Sequence, residues 1–179
     1  MAWERLGSAS GGSSSISVTI TAKEYLRVIF QQNTAVQCKI QFNDDANQKY
    51  CLRRSENSGN DASEINQTYM RNWNSGSATQ RMVNMDIVNL SNEEKICNIE
   101  TVENTSGASG IPNRMESVGK YTEKTGQITK VSFVALSGTI DSDATLTVFG
   151  ASSTTVEDEK QTLADATKLA DVTKTDDLS

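Results

Sequence analysis

The sequence has no histidine, one proline, three cysteines and few aromatic residues, 6% of 179. Each shortage closes off a class of chemistry. Without imidazole there is no histidine general base, none of the usual nucleophilic triads and little scope for transition-metal ligation. Cys38, Cys51 and Cys97 are odd in number and unrelated in spacing, with no CxxC. Neither a disulfide framework nor a zinc site is expected from them, and the thiols are expected to be reduced and buried. No run of 18 apolar residues occurs, and the Gly/Ser-rich stretch from Gly7 to Ser15 has no apolar segment of the kind a secretion signal needs. A chain made in the cytoplasm, with no membrane insertion, is the expectation. Basic charge is also scarce: 17 Lys and Arg face 23 Asp and Glu, with no basic stripe to neutralise phosphates, so no nucleic acid partner is expected. Much of the acidic excess lies late, since residues 151–179 hold 7 acidic and 3 basic side chains.

What is abundant is Ser, Thr, Asn and Gly, together with a period-two alternation of apolar residues. Alternation at that period places apolar side chains on one face of a strand. Ile16, Val18 and Ile20 alternate with Ser17, Thr19 and Thr21, giving one apolar and one hydroxylated face. Leu26, Val28 and Phe30 repeat the pattern, and the extra Ile29 suggests a central strand. Val36, Cys38, Ile40 and Phe42 follow, with Cys38 at a core position. Asn43 to Asn47 reads as a turn leading Lys49 to Arg53 back as a hairpin. Val83, Met85 and Ile87 continue on the other phase as Val88 and Leu90, as across a bulge. Ser91 to Glu94 then turns into Lys95 to Val102, a second hairpin. Met115 to Tyr121, Ile128 to Leu136 and Ala144 to Phe149 bring the expectation to nine or ten strands, a number suited to a sandwich. Residues 55–80 and the Gly-rich stretch 103–113 read as long loops, and Gly7 to Gly12 as linker and turn.

Chemistry-bearing constellations are sparse. Asp44, Asp45, Glu93, Glu94, Asp141 and Asp143 are clustered acids of the kind a glycosidase uses, since two carboxylates suffice for that reaction. All six fall in predicted turns, where acidic residues are ordinary, so a glycosidase-like enzyme is only a remote alternative. The same turns could offer Ca²⁺ oxygen ligands but match no EF-hand loop, and neither a metal nor a cofactor is expected. The glycine runs lack the P-loop lysine and any dinucleotide-binding spacing. Trp3, Tyr69 and Trp73 remain as candidate interface or ligand contacts. Their plainer reading is as packing anchors.

Several segments carry a resemblance: Met1-Ala2-Trp3-Glu4-Arg5-Leu6-Gly7, Tyr25-Leu26-Arg27-Val28, Gln41-Phe42-Asn43-Asp44, and Gly107 through Tyr121 with Ile111-Pro112-Asn113-Arg114-Met115-Glu116-Ser117 at its centre. They resemble small virion proteins of marine tailed phages over about residues 1–150. The resemblance implies a jelly-roll-like β-sandwich displayed as a capsid decoration, head fibre, knob or tail appendage, and it brings no catalytic motif with it.

The expected architecture is therefore all-β, a single antiparallel jelly-roll-like sandwich over residues 16–150. It is preceded by an N-terminal strand and Gly/Ser linker (1–15) and followed by an acidic tail (151–179), disordered or helical. The expected role is non-enzymatic, in a virion, through protein–protein assembly with itself as a homotrimer and with capsid or tail proteins. Binding to a host surface glycan is the alternative.

Overall fold

The computed structural model describes residues 2–34, 36–57, 59–71, 80–104 and 107–153. Among these the regular structure is entirely β. The strands are β1 (Glu4–Ser10), β2 (Ser15–Thr19), β3 (Tyr25–Gln32), β4 (Cys38–Phe42), β5 (Tyr50–Glu56), β6 (Ala62–Gln67), β7 (Met70–Arg71), β8 (Arg81–Val88), β9 (Lys95–Glu103), β10 (Asn113–Tyr121), β11 (Lys130–Ala135) and β12 (Thr145–Ala151). They form two antiparallel sheets, one ordered β1-β12-β3-β8-β9-β10-β5-β6 and the other β2-β11-β4-β7.

Setting aside β5, β6, β9 and β10 leaves eight strands that pair first with last: β1 with β12, β2 with β11, β3 with β8 and β4 with β7. That is one long hairpin rolled up on itself, the jelly-roll arrangement, with four strands on each side of the core. The remaining strands are two insertions. β5–β6 interrupts the path from β4 to β7, β9–β10 interrupts the path from β8 to β11, and the insertions join each other where β10 pairs with β5. One sheet is thereby lengthened to eight strands while the other keeps four.

Alternation sets the faces. β9 alternates buried and exposed residues along its whole length, and β2, β3 and β8 do so almost as regularly. Leu26, Val28 and Phe30 meet Ile40, Phe42, Val131 and Phe133 between the sheets, with the Phe30 and Phe133 rings stacked at 4.2 Å. Burial of each such side chain contributes about 1.5–3 kcal/mol. As expected, β3 is central, lying between β12 and β8, and β8–β9 is a hairpin whose turn holds Asn92 at a positive φ of 63°.

Several expectations are corrected. Lys49 to Arg53 does not return alongside β4, because β5 belongs to the other sheet and pairs with β10 and β6. The turn chemistry was right, with Asn43 and Asp44 both at positive φ (54° and 55°), but the turn carries the chain across the sandwich. Tyr50 fixes that crossing: its hydroxyl accepts from Phe42 N at 3.0 Å and donates to Asp45 O at 2.9 Å. Residues 55–80 are not one long loop, since they include the end of β5, β6 and β7. Gly7 to Ser10 is strand rather than linker. Gly7 lies at a register shift in β1, where a Cβ would sit 2.7 Å from Val18 Cγ1, so only glycine lets β1 lie this close over β2. Between β8 and β9 the register is unbroken through Val88, which simply faces outward, so the bulge expected there does not occur. The tail beyond Ser153, with its expected disorder or helix, lies outside the described residues.

Candidate functional site: an amide-lined cleft and an apolar sheet face

The loops gather at two ends of the sandwich. At the end holding the β4–β5, β8–β9 and β10–β11 turns, polar groups are consumed in holding loops. Buried Lys95 donates from Nζ to the carbonyls of Leu90 (2.8 Å), Glu93 and Glu123 (3.2 Å), and burial pulls its pKa down. Asn89, also buried, accepts from Ile128 N at 2.7 Å and donates to Lys23 O at 2.9 Å. Partial burial pushes the Asp45 carboxyl up, but hydrogen bonds from Asn47 N, the Tyr121 hydroxyl and Lys49 outweigh it and hold the group at about 2. A cleft of about 440 Å³ at this end is bordered by Lys23, Glu24, Ser91 and Gln127, but Lys23 pairs with Glu4, Glu24 accepts from Ser153 N and Gln127 donates to Asn89 O.

The opposite end holds the β1–β2, β3–β4, β9–β10 and β11–β12 connections and differs in character. Arg81 and Glu103 face each other across the β8–β9 ladder, both at 0% exposure. Arg81 Nε donates to Glu103 Oε1 at 2.6 Å, and Nη1 donates to Val36 O at 2.9 Å. Burial pushes the Glu103 carboxyl up; the facing guanidinium and, after it, the nearby Asn113 amide oppose that push. Glu103 Oε2 is sealed from bulk water and has no partner within hydrogen-bonding geometry. Above this pair lies a cleft of about 440 Å³ whose walls include Gln31, Asn33, Gln80, Asn104, Met82 and Val102. Gln32 also lines it, but its amide is spent on Val36 O at 2.6 Å and on the Cys38 thiol.

A second surface feature lies on the outward face of the inserted hairpins. Ile65, Ile96 and Val118 are 67%, 60% and 56% exposed, and they border one shallow groove of about 420 Å³ beside Cys51. On β10, Val118 is flanked in register by Asn98 of β9 and Arg53 of β5.

No protein-family model, curated protein or solved structure matches this chain. What it can do rests on the geometry and chemistry of these two surfaces.

The structure does not bring the sequence-predicted contacts together. Trp3 lies just before β1, is 46% exposed, and has the Arg27 guanidinium 5.4 Å from its ring. Tyr69 lies just before β7, half-buried, with Lys39 Nζ at 5.8 Å. β1 packs over β2, whereas β7 is the opposite edge of the small sheet, so the two rings form no common platform. Trp73 lies outside the described residues. The candidate acids divide between the two ends. Asp44 pairs with Lys130 at 2.8 Å and Glu94 with Lys120 at 2.7 Å, while Asp141 accepts from Asn33 N at 2.9 Å. No cluster of three or more metal-ligating side chains occurs among the described residues. Cys38 and Cys97 are buried, and burial pushes both thiols up to about 12, far from a nucleophile's range. Cys51, expected buried, is half-exposed on the outer face.

Sequence reasoning missed Arg81, Glu103, Ile96 and Val118. Their signal was present as phase: Arg81 and Glu103 are charged residues on the inward phase of β8 and β9, while Ile96 and Val118 are apolar residues on the outward phase of β9 and β10.

Proposed function

We propose that this chain is a non-enzymatic β-sandwich module that acts by protein–protein assembly. Its place is as a structural component of a virion: a capsid decoration, head fibre, knob or tail appendage. The observation that carries the assembly role is the cluster of Ile65, Ile96 and Val118, three large apolar side chains more than half exposed on one sheet face. Apolar groups scattered singly on a surface need no explanation, but a contiguous group around a groove is what a protein interface uses. The virion assignment rests on the resemblance carried by Met1 to Gly7 and Gly107 to Tyr121. The buried, high-pKa thiols and the dispersed, ion-paired carboxylates support a role without catalysis.

The partner on this face is a second copy of the chain, in a homotrimer closed by cyclic symmetry. Sedimentation equilibrium at micromolar concentration tests it. The parent chain should sediment as a trimer, and Val118→Asp or Ile96→Asp should shift it to monomer with an unchanged melting temperature, since both side chains are exposed. A parent that sediments as a monomer at every concentration, or variants that keep the parent's mass, would overturn the reading.

A further inference from the structure

We infer that the cleft above Arg81 and Glu103 is a binding site for a neutral, polyhydroxylated ligand, the chemistry of an uncharged glycan. The site is separate from the apolar face on which assembly is proposed. It lies at the loop end of the sandwich, between the end of β3 and the β8–β9 pair, whereas the assembly face is carried by β9, β10, β5 and β6.

Three features of the cleft select this ligand class. The first is amide supply. Gln31, Asn33, Gln80 and Asn104 border the cleft, all four of them exposed, so that their side-chain amides are open to a ligand. Each offers a donor and an acceptor a few ångströms apart, the pairing that vicinal hydroxyls require. The second is the floor. Glu103 is fully buried, its Oε1 is held by Arg81, and its Oε2 lacks a partner. The floor is thus closed and charge-compensated, and hydrogen bonding to a ligand falls to the exposed rim amides. The third is the balance of charge and apolar surface. Arg81 is neutralised by Glu103, and Asp143 is the remaining charge at the rim, so an anionic ligand meets no free cation there. Met82 and Val102, directly opposite in register and partly exposed, give a C–H face for a sugar ring. No aromatic ring lines the cleft among the described residues, so binding by one copy is weak, and several copies in one particle would supply the avidity.

The test is a titration of the ¹⁵N-labelled full chain with laminaritriose, cellotriose and mannotriose, with trigalacturonate as the anionic control. At least one neutral trisaccharide should give saturable shifts that include the side-chain amides of Gln31, Asn33 and Asn104. Gln31→Ala and Asn104→Ala, both on the cleft wall, should each weaken that binding about 5-fold or more while leaving the remaining spectrum in place. Val118→Asp should leave it unchanged, so loss of assembly and loss of binding are read separately. Three outcomes would each overturn the proposal: no saturable shift with any neutral trisaccharide, shifts centred elsewhere, or stronger binding of trigalacturonate.

Discussion

Arg81 and Glu103 show how much one pair of residues decides. Their charges compensate each other, so removing one strands the other in the interior. Arg81→Met should destabilise the protein by about 3–5 kcal/mol, and adding Glu103→Leu should return most of that, because an apolar pair of similar volume avoids desolvation altogether. Urea denaturation of the two variants checks this, and a double variant no more stable than the single one would refute it. Asp45 makes the corresponding statement about pH. Its folded pKa lies at about 2, below the ordinary 3.8, so its contribution is complete above about pH 4 and is lost as pH falls through 2. Asp45→Asn should therefore cost about 1–2 kcal/mol at pH 7 and progressively less towards pH 2, measured by thermal melts across that range. The inward phase of Arg81 and of Glu103 was legible in the amino-acid order, but their pairing was not: counting outward from a Ser91 to Glu94 turn sets Arg81 opposite Asn104, one residue off the register that forms. The cleft amides were not legible. Gln80 and Asn104 adjoin at the end of the β8–β9 ladder, whereas Gln31 and Asn33 reach them through the β3–β8 pairing, which alternation does not specify.

At the level of elements, alternation reported faces well and partners poorly. Val36 to Phe42 and Lys49 to Arg53 have the pattern of a hairpin, and an Asn/Asp turn joins them, yet they lie in different sheets. The difference is made by Tyr50, whose hydroxyl ties back to Phe42 and Asp45, and by Tyr121, stacked on it at 4.9 Å. These are tertiary contacts that no local pattern announces. β6 and β7 were hidden in a polar segment because an edge strand needs few apolar residues. The free edge of β6 is also bent by Asn66, at a φ of 53°, and by the register shift opposite Tyr50 and Leu52, which blunts it against unwanted pairing. Connections impose their own demands. A Cβ on Gly11 would meet the Asp141 carbonyl oxygen at 2.0 Å, where the β1–β2 loop lies against β11–β12. Gly11→Ala should lower the melting temperature by several degrees, whereas Gly126→Ala, which meets nothing within 4 Å, should leave it unchanged or slightly raised. Equal melts for the two variants would remove the steric argument.

For the whole molecule, the jelly roll explains why the first and last described strands are neighbours. β1 lies on β12, with Glu4 opposite Gly150 and Ser10 opposite Thr145. Such long-range pairing delays closure of the fold, since β1 has no ladder partner until β12 has formed. It also has a mechanical consequence. Glu4 and Gly150 share one end of the ladder, so a pull between the two ends of the body would part β1 from β12 one hydrogen bond at a time, as a zipper opens. Strands loaded along their length from opposite ends would have to break many bonds together. A body of this design withstands flow and drag when it is held by one end and by its sheet faces, and it yields early when stretched between both ends.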